Sequence, residues 1–166
     1  SQYKVKRHSA DTVLLFSGLD PSGAAGVSAD IETINQFGIT PLPIITTLTV
    51  QNTQNVTFLE ATNNSLIQAQ FKSIEEDIDF KVVKIGLLGS SSQIKTIAKL
   101  LINRTDLSIV LDPIIVSSSD IELSTDSMIE AMKNELIPLC SLLTPNLSEL
   151  SCLAPGLNEQ SAVASL

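Results

Sequence analysis

The amino-acid sequence predicts an α/β fold: a central, mostly parallel sheet with helices on both faces. Short apolar segments alternate with longer amphipathic segments, which indicates parallel strands joined by helical crossovers. The apolar segments are short and nearly continuous, as is typical of strands that are buried on both faces. Of the 166 residues, 43% are hydrophobic and only 17% are charged, so the chain can bury a core and is not a disordered tail.

Five apolar segments are predicted to be strands. They cover residues 13–17, 42–50, 82–85, 109–111 and 139–143. The polar stretch 53–64, between the second and third of these segments, is predicted to form loops or edge strands.

Four amphipathic segments between these strands are predicted to be helices, at residues 23–37, 65–78, 90–103 and 125–137. In the first, Val27, Ile31 and Ile34 follow the spacing of a single helix face. Asn63 or Asn64 is the expected N-cap of the second helix, and Ser124 of the fourth. Two further helical segments, 146–153 and 159–166, are separated by a break at 154–156.

Residues 1–166 are expected to form a single, incomplete domain, because the predicted pattern stops within a crossover. Residues 1–12 are predicted to be a polar lead-in. Ten Lys and Arg against 18 Asp and Glu give a net charge of −8, which argues against general binding to nucleic acid or to an anionic membrane. His8 is the single histidine, so a zinc site or a Ser-His-Asp triad is not expected, and Cys140 and Cys152 are predicted to be buried free thiols.

Glycine and polar residues follow every predicted strand, and the ends of parallel strands are where open α/β sheets bind ligands. The clearest case is the segment 18–26, which has glycines at 18, 23 and 26 and leads into a helix. It matches neither the phosphate-binding loop with Gly-Lys-Ser/Thr nor the dinucleotide-binding pattern. The segment therefore predicts either a site for a small polar molecule or a tight strand-to-helix turn.

Four polar residues are candidates for chemistry, each with a simpler alternative. Asp30 borders the apolar stripe of its helix, so its carboxylate must be paired or bound to a ligand unless it is a half-exposed surface group. Asp112 follows the most hydrophobic strand and suits magnesium binding or proton transfer, or else an Asx turn. Asn146 and Glu149 begin a predicted helix, where the same pair is also a capping signature.

The segments GLDPSGAAGVSADIETINQFG, TTLTVQNTQNV, KIGLLGS, VLDPIIV and LLTPNLSEL resemble the hydroxymethylpyrimidine/phosphomethylpyrimidine kinases of thiamin biosynthesis, in the ribokinase-like superfamily. The resemblance runs from about residue 13 to residue 152, with nearly constant spacing. Pyridoxal kinases of the same superfamily are the nearest relatives that could be confused with them, and the Val-Gln-Asn-Thr segment favours the pyrimidine enzymes.

The resemblance implies a ribokinase-like fold, ATP and Mg²⁺ as cofactors, and hydroxymethylpyrimidine or its phosphate as the small-molecule substrate. It also implies a cytoplasmic protein and is compatible with a homo-oligomer. Gln51 would read the aminopyrimidine edge, Asp112 would be the catalytic acid group near the phosphates, and Asn146 and Glu149 would organise magnesium and phosphate without a direct metal ligand. The implied substrate-binding residues are Gly18, Ala25, Asp30, Thr49, Gln51, Leu87 and Ile114.

The sequence departs from the family in two ways. The family has a Lys-Ser-Gly flap after the strand-end acid, whereas residues 117–120 here read Ser-Ser-Ser-Asp. The family is also longer, and its Gly-Thr-Gly-Cys/Asp anion hole, which carries the catalytic base, has no counterpart in these 166 residues. We therefore expect the chain to supply the pyrimidine-binding part and to have little kinase activity alone. The alternatives are a non-catalytic pyrimidine-binding or interaction module and a pyridoxal kinase-like enzyme.

Overall fold

The computed structural model describes residues 12–114, 126–156 and 158–166. One sheet contains the strands β1 (Thr12–Leu19), β2 (Thr40–Gln51), β3 (Val56–Ala61), β4 (Val82–Ile85), β5 (Ser108–Leu111) and β6 (Leu142–Leu143). Their order across the sheet is β3-β2-β1-β4-β5-β6, and every neighbouring pair is parallel except β2 and β3. The predicted α/β class with a mostly parallel sheet is confirmed.

The helices of the described residues are α1 (Gly26–Gln36), α2 (Asn64–Asp77), α3 (Ser91–Leu101), α4 (Asp126–Ala131), α5 (Leu147–Leu153) and α6 (Glu159–Ser165). Asn63 caps α2 by accepting a hydrogen bond from the Ser65 N–H at 2.8 Å, and Ser90 caps α3 by accepting from the Gln93 N–H at 3.0 Å. The predicted cap Ser124 lies outside the described residues. None of the described helices is long and apolar enough to span a bilayer.

Two predicted elements need correction. The strand predicted at 139–143 is confined to Leu142–Leu143, because Ile137–Leu139 form a 3₁₀ turn. The helix predicted at 125–137 is α-helical only to Ala131 and continues as a π-helical turn over Met132–Leu136. Pro138 lacks the N–H that a continuing α-helix would need, so the chain leaves the helix there. The stretch predicted as loops or edge strands contains β3, which is the edge strand beside β2.

The two faces of the sheet carry different helices. Phe16 of β1 stacks on Phe71 of α2, with ring centroids 6.1 Å apart, whereas the next residue, Ser17, donates a hydrogen bond to Asp30 of α1. Because consecutive strand residues point to opposite faces, α1 and α2 lie on opposite faces of the sheet. The larger core lies on the α2 face, where Leu14, Phe16, Val83, Ile85 and Leu111 pack together with residues of α2 and α3.

The chain order creates a crevice at the carboxyl end of the sheet. From β1 the chain first passes to β2 on one side, and it later returns to β4 on the other side of β1. Connections that leave in opposite directions from adjacent parallel strands open a gap above those strands, where α/β proteins bind ligands. The ends of β1 and β4 are therefore the structural position at which a site is expected.

Both cysteines are free, and Cys140 is partly buried against the core, whereas Cys152 is exposed. Burial raises the pKa of the Cys140 thiol to about 11, which keeps it protonated at neutral pH. Cys152 lies on the exposed side of α5, so the prediction of a second buried thiol is wrong.

The predicted single domain over 1–166 stays a prediction. Residues 1–11 of the predicted lead-in lie outside the described residues, and Thr12 already begins β1.

Candidate functional site

The glycine-containing segment makes a tight connection from β1 to α1. The Gly23 N–H donates to the Asp20 carbonyl oxygen at 3.0 Å, and the Ser22 N–H donates to Asp20 Oδ1 at 2.8 Å. Gly26 opens α1 with a φ of +67°, and a Cβ atom at this position would lie only 2.3 Å from the Gly18 carbonyl oxygen. The close approach of Gly26 to the end of β1 therefore requires glycine.

A cavity of about 80 Å³ lies beside this turn, at the crevice between the ends of β1 and β4. A cavity of this size suits one small ring and is too small for a dinucleotide. The residues that line it come from the glycine turn, from the ends of β2 and β3 and from the segments after β4 and β5: Gly18, Leu19, Asp20, Ala25, Gly26, Thr49, Gln51, Val56, Leu87 and Ile114.

The structure brings together all the predicted substrate-binding residues except Asp30 in the lining of this cavity: Gly18, Ala25, Thr49, Gln51, Leu87 and Ile114. They are separated by up to 96 positions in the sequence and come from four connections of the sheet. Their direct contact with a substrate stays a prediction.

Gln51 is oriented by its neighbour on the same face of β2. The buried Thr49 hydroxyl donates to the Leu19 carbonyl oxygen at 2.8 Å and lies 3.1 Å from Gln51 Oε1. This contact holds the Gln51 side chain at the cavity, and an amide offers both a donor and an acceptor to a ligand. The pairing of Thr49 with Gln51 thus provides a prepared polar edge in an otherwise mostly apolar cavity.

The opposite wall of the cavity is held by hydrogen bonds that the sequence analysis missed. The Thr46 hydroxyl donates to the Leu87 carbonyl oxygen at 2.6 Å. The fully buried Gln93 donates from Nε2 to the Thr46 carbonyl oxygen at 2.8 Å and accepts from the Gly89 N–H at 2.7 Å. In the sequence, the one feature that could have indicated this role of Gln93 is its position in the first turn of α3, directly before the apolar Ile94.

Asp30 is not among the residues that line the cavity. One of its carboxylate oxygens pairs with Lys84 Nζ of β4, and the other accepts from the Ser17 hydroxyl at 3.1 Å. The carboxylate is therefore paired, as its position beside the apolar stripe of α1 requires. A role for Asp30 in substrate binding stays a prediction, and Lys84 was not among the predicted site residues.

Asp112 follows β5 at the same edge of the sheet, and its N–H donates to the Ile85 carbonyl oxygen at 2.9 Å. Partial burial of the Asp112 carboxyl raises its pKa, and the charges of Glu149 and Asp30 raise it further, while the Lys84 ammonium group opposes them. A carboxyl group with a raised pKa at this position is suited to accept or share a proton.

Asn146 and Glu149 form a capping box at the start of α5. The Glu149 N–H donates to Asn146 Oδ1 at 2.8 Å, and the Asn146 N–H donates to Glu149 Oε1 at 3.0 Å. The capping alternative recognised in the sequence is therefore present, and a role for the pair toward magnesium or phosphate stays a prediction. Glu149 is buried and adds negative charge beside Asp112.

The acidic residues at this edge fit magnesium only as part of a larger set of ligands. Within residues 12–114, 126–156 and 158–166, no three His, Cys, Asp or Glu side chains are close enough to hold a metal by themselves. Protein-bound Mg²⁺ commonly uses one or two carboxylates together with water and substrate phosphate oxygens. Asp112 and Glu149 fit such a set as groups that organise water and phosphate around the ion, and the expectation of no direct metal ligand stays a prediction. Residues 117–120, where the family flap is expected, lie outside the described part.

Comparison with known proteins gives a family match over most of the chain. Residues 20–165 match the family model of phosphomethylpyrimidine kinase. The chain is 38% identical over 140 residues to the hydroxymethylpyrimidine/phosphomethylpyrimidine kinase of Aquifex aeolicus, covering 84% of this chain and 55% of the relative. It is 33% identical over 152 residues to a Schizosaccharomyces pombe protein described as a hydroxymethylpyrimidine/phosphomethylpyrimidine kinase, covering 92% of this chain and 28% of that protein. The chain thus spans about half the length of its bacterial relatives.

Solved structures give the same result. The phosphomethylpyrimidine kinase of Clostridium difficile 630 superposes with a TM-score of 0.81 at 30% identity, over 93% of this chain and 69% of that one. The pyridoxal kinase of Staphylococcus aureus in complex with AMP-PCP superposes with a TM-score of 0.78 at 24% identity, over 93% of this chain and 56% of that one, and supports the fold alone. On the family match, which covers most of its length, the chain belongs to the phosphomethylpyrimidine kinase family.

Proposed function

We propose that this chain supplies the pyrimidine-binding part of an ATP-dependent kinase acting on 4-amino-5-hydroxymethyl-2-methylpyrimidine and its monophosphate in thiamin biosynthesis. The observation that carries the proposal is the cavity at the ends of β1 and β4. Its lining includes six of the seven residues that the family resemblance implies, and Asp30 is the exception. Family membership supports the reaction class, and an Arabidopsis thaliana relative, 32% identical over 144 residues, is described as a chloroplastic bifunctional enzyme of thiamine biosynthesis.

The chemistry of the cavity suits an aminopyrimidine. Leu87 and Ile114 provide apolar surface for a ring, while Gln51 provides an amide for the ring edge. The nearby Thr49 limits the orientations open to Gln51, so less conformational entropy is lost when a ligand binds. A single ring with polar substituents on one edge is therefore the class of ligand that fits best.

Asp112 is proposed to act on the acceptor group. It follows β5, the neighbour of β4, so a hydroxymethyl group extending along the sheet edge from the cavity would approach it. Its partial burial and raised pKa suit a group that orients the acceptor hydroxyl near the phosphates, whereas the resemblance places the family's catalytic base with the Gly-Thr-Gly-Cys/Asp anion hole. Bound ATP would supply the phosphoryl group and Mg²⁺ would neutralise its charge, with Asp112, Asn146 and Glu149 as the residues of this chain that organise them.

The remaining parts of the proposal concern the setting of the reaction. The net charge of −8 supports a small-molecule substrate over nucleic acid as the partner. We propose a cytoplasmic location, and a homo-oligomer is compatible with the exposed apolar side chains of β2 and β3, such as Val50 and Phe58.

The test is calorimetric titration of the chain with hydroxymethylpyrimidine and, separately, with pyridoxal. The pyrimidine should bind more tightly than pyridoxal. Gln51→Ala should weaken pyrimidine binding by about 1–3 kcal/mol, because the ligand loses its polar partners at the ring edge. Gln54→Ala, which changes an exposed glutamine in the following loop, is the matched control and should bind as the unaltered chain does. Unchanged affinity in Gln51→Ala would remove Gln51 from the site, and tighter binding of pyridoxal would favour the pyridoxal kinase alternative.

A further inference from the structure

An ion pair spans three elements beneath the cavity. Lys84 lies on β4, in register with Leu15 of β1 on one side and Val110 of β5 on the other. Its ammonium group pairs with one carboxylate oxygen of Asp30 on α1. The Ser17 hydroxyl of β1 donates to the other carboxylate oxygen at 3.1 Å. Asp30 is thereby tied to two neighbouring strands of the sheet at once.

Ser17, Asp30 and Lys84 form a cluster, and each of them lies within four positions in the sequence of a residue that lines the cavity. Ser17 directly precedes Gly18, and Lys84 lies three positions before Leu87. Asp30 lies four positions after Gly26, which is about one helical turn into α1. The cluster therefore connects the strand and helix that carry the glycine turn to the strand that leads to Leu87.

The Asp30–Lys84 pair is partly buried, so losing one partner should cost more free energy than losing a partner of a surface ion pair. The side chain of Asp30 is 16% exposed and that of Lys84 is 33% exposed. A carboxylate largely removed from water depends on its partners, and removing one partner leaves its charge uncompensated. Among the contacts of Asp30 with described residues, Lys84 supplies the positive charge and Ser17 supplies a neutral hydroxyl.

We propose that Lys84 is a positioning residue of the pyrimidine site, which holds α1 against β1 and β4 through Asp30 and so sets the separation of the two cavity walls. The identity of the ligand rests on the proposed function, whereas the effect on the walls does not. Without the ammonium group, the Asp30 carboxylate would turn toward water and draw the first turn of α1 with it, which displaces Ala25 and Gly26 from Leu87.

The first arm of the test measures hydroxymethylpyrimidine affinity in Lys84→Met, Lys84→Arg and Lys81→Met. Lys84→Met should bind about 5- to 50-fold more weakly, and Lys84→Arg, which retains the charge, should recover most of the affinity. Lys81→Met is the matched control, since Lys81 also forms ion pairs but directly precedes β4, at the end of the strand away from the cavity. It should bind within about twofold of the unaltered chain.

A double-mutant cycle shows whether the effect passes through Asp30. Asp30→Asn combined with Lys84→Met should bind no more weakly than the worse single variant, because both remove the same link. Effects that simply add would mean that Lys84 acts independently of Asp30, and this result would overturn the proposal. Unfolding curves of each variant restrict the comparison to folded protein, and Lys84→Gln takes the place of Lys84→Met in the cycle if the latter folds poorly.

The second arm needs no ligand and separates this proposal from the proposed function. Amide chemical shifts of Ala25, Gly26 and Leu87 are compared in the unaltered chain and the Lys84 variants. Lys84→Met, or Lys84→Gln in its place, should move them, and Lys84→Arg should return them toward their original values. If the unaltered chain fails to bind hydroxymethylpyrimidine, the proposed function is wrong, and these shifts still decide the role of Lys84. Unchanged shifts together with a lowered free energy of unfolding would make Lys84 a purely structural residue and overturn the proposal.

Discussion

Charged residues are arranged differently at the two ends of the sheet. At the end away from the cavity, the Arg104 guanidinium donates to Asp106, Glu75 and the Phe80 carbonyl oxygen, and it lies 5.0 Å over the Phe80 ring. Lys81 pairs with Asp106 as well. Lys81 also pairs with Asp79, so each carboxylate of this group has a cationic partner. The Asp106 carboxyl accordingly has a lowered pKa, owing first to its hydrogen bonds with Arg104 and then to its hydrogen bond with Lys81.

The cavity end has an excess of negative charge. Asp30, Asp112 and Glu149 all contribute to the field there, and Lys84 is the cation that opposes them at Asp112. Consequently the pKa of Asp112 is raised where that of Asp106 is lowered. The comparison indicates that the charges at one end of the sheet stabilise the fold, whereas the excess of negative charge at the other end costs stability, as is typical of functional sites.

The largest effect is expected from Gly26→Ala, at the cavity end. The new Cβ atom would meet the Gly18 carbonyl oxygen at 2.3 Å, in a backbone conformation with a φ of +67° that alanine disfavours. Binding of hydroxymethylpyrimidine should fall by more than about 100-fold, since the glycine turn forms one wall of the cavity.

Gly38→Ala is the control for Gly26→Ala. Gly38 also has a positive φ, of +71°, but no atom lies within 4 Å of its added Cβ. It should lose only about 1–2 kcal/mol of unfolding free energy and keep its affinity. Equal loss of binding in the two variants would show that backbone conformation, and not the close approach to Gly18, is what matters.

Arg104→Met, at the end of the sheet away from the cavity, should lower stability and leave ligand affinity unchanged. It removes the hydrogen bonds to Asp106 and Glu75 and the contact of the cation with Phe80, so the free energy of unfolding should fall by about 1–3 kcal/mol. Affinity for hydroxymethylpyrimidine in the folded fraction should be unchanged. Urea unfolding and calorimetry of the same sample measure both, and a loss of affinity would contradict the separation of the two ends.

A smaller effect is expected from Thr46→Val, which keeps the shape of the side chain but removes the hydrogen bond to the Leu87 carbonyl oxygen. The free energy of unfolding should fall by about 1 kcal/mol, with a decrease in affinity of a few-fold because the Leu87 wall is less well held. Thr57→Val is the control, because its hydroxyl donates to the Val50 carbonyl oxygen at an exposed position. An equal change in affinity in Thr46→Val and Thr57→Val would argue against a role of Thr46 in the cavity wall.

The smallest effects should have opposite signs at the two ends. Asp106 has a lowered pKa, so its ionised form stabilises the fold above about pH 4, and this contribution is lost as the pH falls further. Asp112 has a raised pKa, so its ionised form costs stability at neutral pH. In thermal unfolding at pH 7, Asp106→Asn should lower the melting temperature and Asp112→Asn should raise it. A decrease in both would show that Asp112 also has a stabilising role.

Local patterns in the sequence predicted most of the sheet, because short apolar runs and their spacing depend on neighbours along the chain. The strand at 82–85 was predicted with the bounds that the structure has, and the cavity residues followed from the resemblance. The irregular end of the fourth helix was not predicted, since Met132–Leu136 keep the apolar spacing of an ordinary helix although they form a π-helical turn. Burial of Cys152 was wrongly predicted from its apolar neighbours, which face the other side of α5.

Pairings between distant elements were beyond sequence analysis. Lys84 stands in the strand sequence Val-Val-Lys-Ile, where it reads as the outward residue of an alternating pattern. Its partner Asp30 lies 54 positions earlier in the sequence. The two side chains meet only because β4 lies beside β1 and the Lys84 side chain reaches the face of the sheet that α1 covers. Gln93 likewise finds its partners on β2 and in the segment after β4 only once the sheet order is known.

The most direct test of this account is a titration of the ¹⁵N-labelled chain with hydroxymethylpyrimidine, followed by amide chemical shifts. We expect saturable shifts at Gly18, Ala25, Thr49, Gln51 and Leu87, and none at Lys81, Arg104 or Asp106 at the other end of the sheet. Absence of shifts at the cavity, or shifts centred elsewhere such as the apolar groove formed by Leu142, Val163 and their neighbours, would contradict the assignment of the pyrimidine site.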